Sequence, residues 1–451
     1  MSKLKRLPED CTFPQLATVL DGARFAACLQ AKLGPEFATR NIEIRGIEIE
    51  RVYYKPGRSC RIIFKAALRA ADGRRGEQLY FAKIAPEPKP ASLFRRALAA
   101  RLTPPEFGPP VACIDELGMV LWAYPNDPNL PGLATLASRD AMAELLGREP
   151  GRFGLPPGEL VLLRLGVGKY VPGQRCGYRY RVRWKTADGE LEHRFYGKAY
   201  QEGLGRPAWE ILRQLAASDA CRSGRLRIPE PYAYDAEREI VWQEMLPGQS
   251  FSKDGSALDL AAWAGPVAAS LAAFHATPLE LGPGLGLAEE LDELDASSRK
   301  IAKAYPQYAA RVEELRRRLV AAVPTLPAVP PAPVHGSFKT SHVFDVGGRV
   351  AFIDFDGAGL GDPIYDVGRF LAHLTVAGLE ARTPATDIEA AIARFRDGYA
   401  AGAPWGWPES RVRWYTSALL LSSQAYKCVK RMVPARVDAI LSAAETWFPT
   451  H

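Results

Sequence analysis

The chain repeats itself, and the repeat constrains its fold more than any single motif. Tyr54–Gly73, YKPGRSCRIIFKAALRAADG, lies without gaps on Tyr170–Gly189, YVPGQRCGYRYRVRWKTADG. Tyr, Pro-Gly, Cys and the closing Ala-Asp-Gly coincide. Asp-Gly between two alternating runs predicts a β-hairpin. A short strand with a lysine follows each turn, LYFAKI with Lys83 and RFYGKAY with Lys198, and the lysines align once a single residue is inserted. Next come a helical stretch, a Pro-containing strand (GPPVACID, IPEPYAYD) and an apolar strand ending near proline (MVLWAYP, IVWQEMLPG). Each copy therefore reads strand, hairpin, strand, helix, strand, strand. An ordered match of this kind over about 90 residues predicts a small α/β module made twice, because the same pattern has to build the same unit. Residues 132–157 are the expected connector.

After Gly248 the pattern changes. AAWAGPVAASLAAFHATPLE and SSRKIAKAYPQYAARVEELRRRLVAAV carry helical periodicity. Pro324–Pro333 is too rich in proline for a helix. It leads into two predicted strands, VHGSFKTSHVFDV and RVAFIDFD, joined through Gly347-Gly348, and helices such as VRWYTSALLLSSQAYKCVKRMV and ARVDAILSAAETWF follow.

A length of 451 residues allows two or three domains. The N-terminal MSKLKRLPED does not lead into an apolar stretch of signal-peptide length, and no run has the roughly 18 apolar residues of a membrane span. The seven cysteines are scattered without a CxxC pair, which argues against a disulfide framework or zinc site and fits a reducing cytosol. A net charge of +7 is spread along the chain and comes with no RNA-binding signature. The expectation is a cytoplasmic protein without nucleic-acid or membrane partners.

Chemistry concentrates in PVHGSFKTSHVFDVGGRVAFIDFDGAGLGDPIYDVGRFLAHL. It resembles the signature of the aminoglycoside phosphotransferase and choline kinase superfamily, relatives of the protein kinases. That pattern is His-Gly-Asp, four residues, Asn, a hairpin, Ile-Asp-aromatic, Gly-Asp-Pro and a further Asp. His335, Gly336, Asp354, Gly361, Asp362, Pro363 and Asp366 fall on it. The resemblance covers residues 157–451. It implies a bilobal protein-kinase-like α/β fold (α+β) with a duplicated small N-lobe module and a mainly helical C-lobe. Residues 1–131 would be a degenerate N-lobe-like module and 132–157 the connector. Residues 158–247 would be the kinase-like N-lobe and 248–451 the helical C-lobe with the catalytic loop.

The implied reaction is phosphoryl transfer from ATP or GTP with Mg²⁺ to a hydroxyl of a small molecule, where positioning and charge neutralisation do most of the catalysis. By resemblance, Asp354 holds Mg²⁺; a strand-end carboxylate capping a turn is the plain alternative. Asp356 shares the metal or its water, or only forms the turn before Gly357. Lys198 corresponds to the lysine that grips the phosphates, and Glu210 in RPAWEILRQLA to the helix acid that holds it, unless Glu210 is an ordinary exposed glutamate. The purine edge would meet the main chain of Gln243, Glu244, Met245 and Leu246. The glycine-rich loop is poor: only Gly173 and Gly177 are available, and Pro172 removes a donor. Arg175 either adds charge there or is solvated. Asp362, Asp366 and His275 read as structural.

Two positions depart from the family. Ser337 stands for the catalytic aspartate, and a serine hydroxyl has no useful basicity at neutral pH. His342 stands for the asparagine that binds a second metal, although Mg²⁺ prefers oxygen donors. Lys339 remains at the transfer site, and Asp356 is the candidate for the base role. Two readings stay open: a working phosphotransferase, or a pseudokinase that binds nucleotide or a protein partner. A third is nucleotidyl transfer on the same fold. The first module keeps Lys83 but has no acid in PASLFRRALAARL, which makes it a scaffold or lid. On the strand 175–186, Arg179, Arg181, Arg183 and Lys185 share one face and Tyr178, Tyr180, Val182 and Trp184 the other. The charged face reads as solvated or as a contact surface.

Overall fold

The computed structural model describes residues 11–38, 42–250, 260–379 and 384–449; the N-terminal decapeptide lies outside them. Five strands make the first sheet: β1 (Ile42–Lys55), β2 (Ser59–Ala70), β3 (Arg75–Ile84), β4 (Val111–Ile114) and β5 (Met119–Ala123). Five more make the second: β6 (Glu159–Val171), β7 (Arg175–Thr186), β8 (Gly189–Tyr200), β9 (Pro231–Asp235) and β10 (Ile240–Glu244). The strand orders are β1-β2-β3-β5-β4 and β6-β7-β8-β10-β9, so the repeated sequence does fold twice into one topology. A helix follows the third strand of each copy, Lys89–Leu98 and Gly205–Ala216.

The register explains the one-residue offset between the copies. Lys83 pairs with Arg61, and Lys198 pairs with Gly177, the residue that the gapless alignment equates with Arg61. The extra residue therefore lies in the first hairpin loop. There Ala70 N–H bonds the Arg74 carbonyl around Ala71-Asp72-Gly73, whereas Thr186 pairs with Gly189 around Ala187-Asp188 alone. Both Pro-Gly turns put glycine in the left-handed region, Gly57 at φ 63° and Gly173 at φ 70°, where a side chain would be strained.

Two compact units make up the chain. The first holds residues 1–205, 235–240 and 429–433; the second holds 206–234, 241–428 and 434–451. In the first unit, Tyr178, Tyr180, Val182 and Trp184 are buried while Arg179, Arg181, Arg183 and Lys185 are exposed. The aromatic face is covered by residues 124–156. Tyr180 donates to the Leu136 carbonyl at 2.6 Å, Trp184 Nε1 to the Pro156 carbonyl at 2.9 Å, and Tyr124 to the Tyr178 hydroxyl. The exposed face carries cross-strand ion pairs, Arg181 with Glu192 and Arg183 with Glu190.

The second unit is mainly helical. Leu260–His275 packs along Ala385–Gly402, and Pro363–Leu379 along Glu409–Leu419. Trp414, fully buried, donates from Nε1 to the Leu319 carbonyl at 2.8 Å. The run expected as one helix before Pro324 breaks at Tyr305-Pro306 into Leu287–Ala304 and Ala309–Ala322, as a proline without an amide proton dictates. Five short strands complete the fold of the described residues: β11 (Gln249–Ser250), β12 (Ala332–Val334), β13 (Val343–Val346), β14 (Arg349–Phe352) and β15 (Gly359–Gly361), the last closing on β12. The β13–β14 hairpin turns through Gly347-Gly348, both at positive φ (61° and 82°). The expected strand from Val334 to Val346 is interrupted: His335–His342 is loop and one 3-10 turn, held by side chains instead of a ladder. Among the described residues, no helix is long and apolar enough to cross a membrane.

Candidate active site

The loop His335–Ser337 is built on a carboxylate. Asp366, fully buried in the first turn of Pro363–Leu379, accepts from His335 N–H at 2.5 Å and Gly336 N–H at 3.0 Å, and meets His275 Nε2 at 3.3 Å. His275 is itself buried, with Nδ1 2.7 Å from the Tyr399 hydroxyl. Gly336 has φ 71°, and a Cβ there would stand 2.2 Å from the Gly357 carbonyl oxygen, so only glycine lets the two loops approach. Asp362 caps the same helix through Ile364 N–H at 3.0 Å and accepts from Arg411 Nε at 2.7 Å and Tyr415 at 2.8 Å. Asp362 and Asp366 thus tie backbone and helices together.

Around that frame stand the residues that depart from the family. His335 is buried, and burial lowers its pKa, keeping it neutral. Its Nε2 faces the Ile353 carbonyl at 3.0 Å, so Nε2 carries the proton and Nδ1 is an acceptor. Ser337 Oγ lies 3.3 Å from that Nδ1 and 3.4 Å from the Asp354 carbonyl; its one proton is shared between them. The His335 ring is stacked between Phe355 (4.7 Å) and His342 (5.4 Å). Asp354 is left-handed at φ 72°, ψ 51°, a conformation that costs a non-glycine residue about 1 kcal/mol. Its Oδ2 is 3.2 Å from Nε2 of the buried His342. Asp356 follows, half-buried, in the 3-10 turn Phe355–Gly357. Lys339, half-buried, is one of the charges that, after burial and with Arg369 and Lys427, lower the pKa of His373. Ser337, His342 and Asp354 are therefore brought together around His335 in the second unit, with Lys339 and Asp356 on the same two loops.

Glu210, Gln243, Glu244 and Met245 lie in the same unit. The Glu210 carboxylate is engaged by Arg213 one turn along its helix, at 3.1 and 3.2 Å. Glu244 takes the Arg227 guanidinium on both oxygens at 2.6 Å, and its amide donates to the Glu230 carbonyl at 2.8 Å. Gln243 is half-buried at the end of β10, and Met245 begins an irregular stretch.

Lys198 and Arg175 belong to the first unit. Lys198 is buried on β8 with Nζ 5.2 Å from the Tyr200 ring centroid. Arg175 opens β7 after the turn Pro172-Gly173-Gln174, paired with Val171 and Tyr200. A residue that motif reading missed holds this turn. Asp127, buried just beyond β5, accepts from Gly173 N–H at 2.7 Å and the Tyr170 hydroxyl at 2.8 Å on one oxygen, and from Asn129 N–H at 3.0 Å on the other. Gln174 N–H turns back to the Val171 carbonyl at 3.0 Å. The amides of Gly173 and Gln174 are thus both spent within the protein. In the first module, Lys83 is half-buried; burial and the like charges of Lys89, Arg61, Lys55 and Arg96 lower its pKa.

Residues 171–412 match the family model described as phosphotransferase enzyme family (APH). The chain belongs to that family. Antiparallel sheets followed by a helical region are its protein-kinase-like architecture. The match starts at the β6–β7 turn, so the first module lies outside it. No curated protein matches the chain. Solved structures similar to this chain include a thermostable mutant of aminoglycoside phosphotransferase APH(4)-Ia in ternary complex with ADP and hygromycin B. It is 17% identical, with 69% of this chain and 100% of that chain covered and a TM-score of 0.46. Macrolide 2'-phosphotransferase MphH from Brachybacterium faecium is 17% identical over 69% of this chain and 99% of that one, with a TM-score of 0.43. Choline kinase LicA from Streptococcus pneumoniae is 12% identical over 68% and 98%, with a TM-score of 0.44.

Proposed function

We propose that this phosphotransferase moves a phosphoryl group from ATP or GTP to a hydroxyl of a small molecule. The observation that carries the reading is the loop His335–Ser337 held on Asp366 beside Asp354. No three His, Cys, Asp or Glu side chains among the described residues form a ready metal cluster. A hard cation that keeps its water and is held partly by phosphates needs no such cluster, and the oxygen donors Asp354 and Asp356 fit Mg²⁺. His342 fits less well as a direct ligand, and its Nε2 is turned to Asp354, whose carboxylate it orients. Bound there, Mg²⁺ would neutralise charge on the transferring group.

The chain's own groups divide the remaining work. Lys198 and Arg175 bring positive charge for phosphate. The Glu244 amide is already bonded, which leaves the main chain of Met245 and Leu246 for a purine edge. Lys339 faces the transferring group, and the Ser337 hydroxyl orients the acceptor. Proton removal falls late in a loose transition state, so Asp356 or water suffices in place of the missing carboxylate. Ser337 also supports a second reading, a pseudokinase that binds nucleotide without transfer, because its hydroxyl proton already has two acceptors.

The test is a thermal shift with ATP, with and without Mg²⁺, on wild type, Asp354→Ala and Ser337→Asp. A nucleotide at about a hundred times its dissociation constant adds roughly 2.7 kcal/mol to the native state. The expected result is a Mg²⁺-dependent shift in wild type that Asp354→Ala abolishes. No shift in wild type at millimolar nucleotide sinks the enzyme reading. A shift in wild type with turnover appearing only in Ser337→Asp selects the pseudokinase.

A further inference from the structure

At the β6–β7 turn the first module's side chains take the Pro172 carbonyl and the Gly173 amide. Arg61 Nη1, on β2, donates to the Pro172 carbonyl at 2.8 Å. Asp127 accepts from Gly173 N–H at 2.7 Å. The strand that leads into the turn is bound by the same carboxylate through Tyr170, whose ring also meets Tyr124 edge-on at 5.4 Å. The module also meets the second sheet through Tyr124, whose hydroxyl donates to the Tyr178 hydroxyl. A buried carboxylate that accepts from the Gly173 amide and the Tyr170 hydroxyl secures a specific backbone position rather than general adhesion.

The place of Asp127 in the repeat sharpens the point. It stands two residues past the proline of MVLWAYP, a place that in the second copy lies just beyond the segment Gln243–Leu246 read as the purine-binding stretch. The first copy has no acid for Lys83 and lies outside the family match. What it does hold is its sibling's turn.

We infer that the first module is the anchor of the β6–β7 turn, and that Asp127 is the positioning residue through which it fixes that turn for nucleotide phosphate. The nucleotide part rests on the phosphotransferase reading; the anchor itself does not. With Pro172 lacking an amide proton and Gly173 and Gln174 committed, the anchored turn offers phosphate no cradle of N–H groups. Its service is to hold Arg175 and the start of β7 in one place, so that side-chain charge meets the phosphates in a prepared geometry.

The experiment uses the full chain as wild type, Asp127→Ala, Asp127→Asn and Tyr170→Phe. Hydrogen exchange of the peptide spanning 171–176 and the dissociation constant of Mg·ADP are measured on each. In Asp127→Ala the turn amides exchange about tenfold faster and Mg·ADP binds about tenfold more weakly, the effect expected from losing the charge-assisted bond to the Gly173 amide. Asp127→Asn, which can still accept from Gly173, stays within about threefold of wild type in both. Unchanged exchange in Asp127→Ala overturns the anchor. Faster exchange with unchanged Mg·ADP affinity overturns the positioning role, and is the result a merely structural residue would give. Should Asp127→Ala fail to fold, Tyr170→Phe removes one hydroxyl from the same carboxylate, and the same two readings decide. A wild type that binds no Mg·ADP, with the variants exchanging faster, upholds the anchor and defeats the phosphotransferase reading instead.

Discussion

Glu290 shows how far a single residue can depart from its sequence context. LAEELDELD reads as the exposed acidic start of a helix, yet Glu290 is buried. Ser422 donates to its carboxyl at 2.5 Å from the π-helical turn Leu420–Ala425, which interrupts a run that looks uniformly helical. Burial pushes the carboxyl up to about 8 from its ordinary 4.5, with Ser422 and Arg369 opposing. The native state therefore keeps a proton that the unfolded chain releases, and stability falls as pH rises from 4.5 towards 8. The slope is at most about 1.4 kcal/mol per pH unit. Glu290→Gln keeps a neutral hydrogen-bonding group and removes this loss, so its urea midpoint should exceed that of wild type by more at pH 8 than at pH 5.5. A constant difference between the two proteins at both pH values would show that Glu290 does not hold a proton across this window.

At the scale of elements, the strand 175–186 was readable because its alternation has period two and its aromatic and charged faces never mix. The expectation that follows is asymmetric. Trp184, fully buried, should cost about 3–5 kcal/mol on Trp184→Ala, measured by urea unfolding. Arg181→Ala on the opposite, exposed face should leave the midpoint near wild type. Similar losses in both would mean that the strand is buried on two sides. The catalytic loop was less readable. Gly336 and Asp366 were identifiable from motif spacing, but a strand was expected where the chain runs irregularly from His335 to His342. Its backbone bonds go to the Asp366 carboxylate thirty residues on, and no local pattern announces a partner at that distance. Glu244 was likewise placed correctly on a strand, while its fork to Arg227 depends on a loop that periodicity cannot position.

For the whole molecule, duplication explains why a chain of this family carries a second sheet outside the family match. The end of the first module and the connector have a purpose that the degenerate Lys83 does not reveal: residues 124–156 cover the aromatic face of the second sheet. Tyr178, Tyr180, Val182, Trp184 and Phe195 are all buried there. Uncovered, they would form a contiguous apolar sheet face of the kind soluble monomers do not expose. Residues 158–451 expressed alone should therefore aggregate or fail to fold, although they contain the whole of the match and every proposed catalytic group. Static light scattering and size-exclusion chromatography of that fragment, beside the full chain, check this. A soluble monodisperse fragment with a native-like thermal transition would mean that the aromatic face tolerates water. The first module would then be dispensable to the fold, with the Asp127 anchor its remaining role.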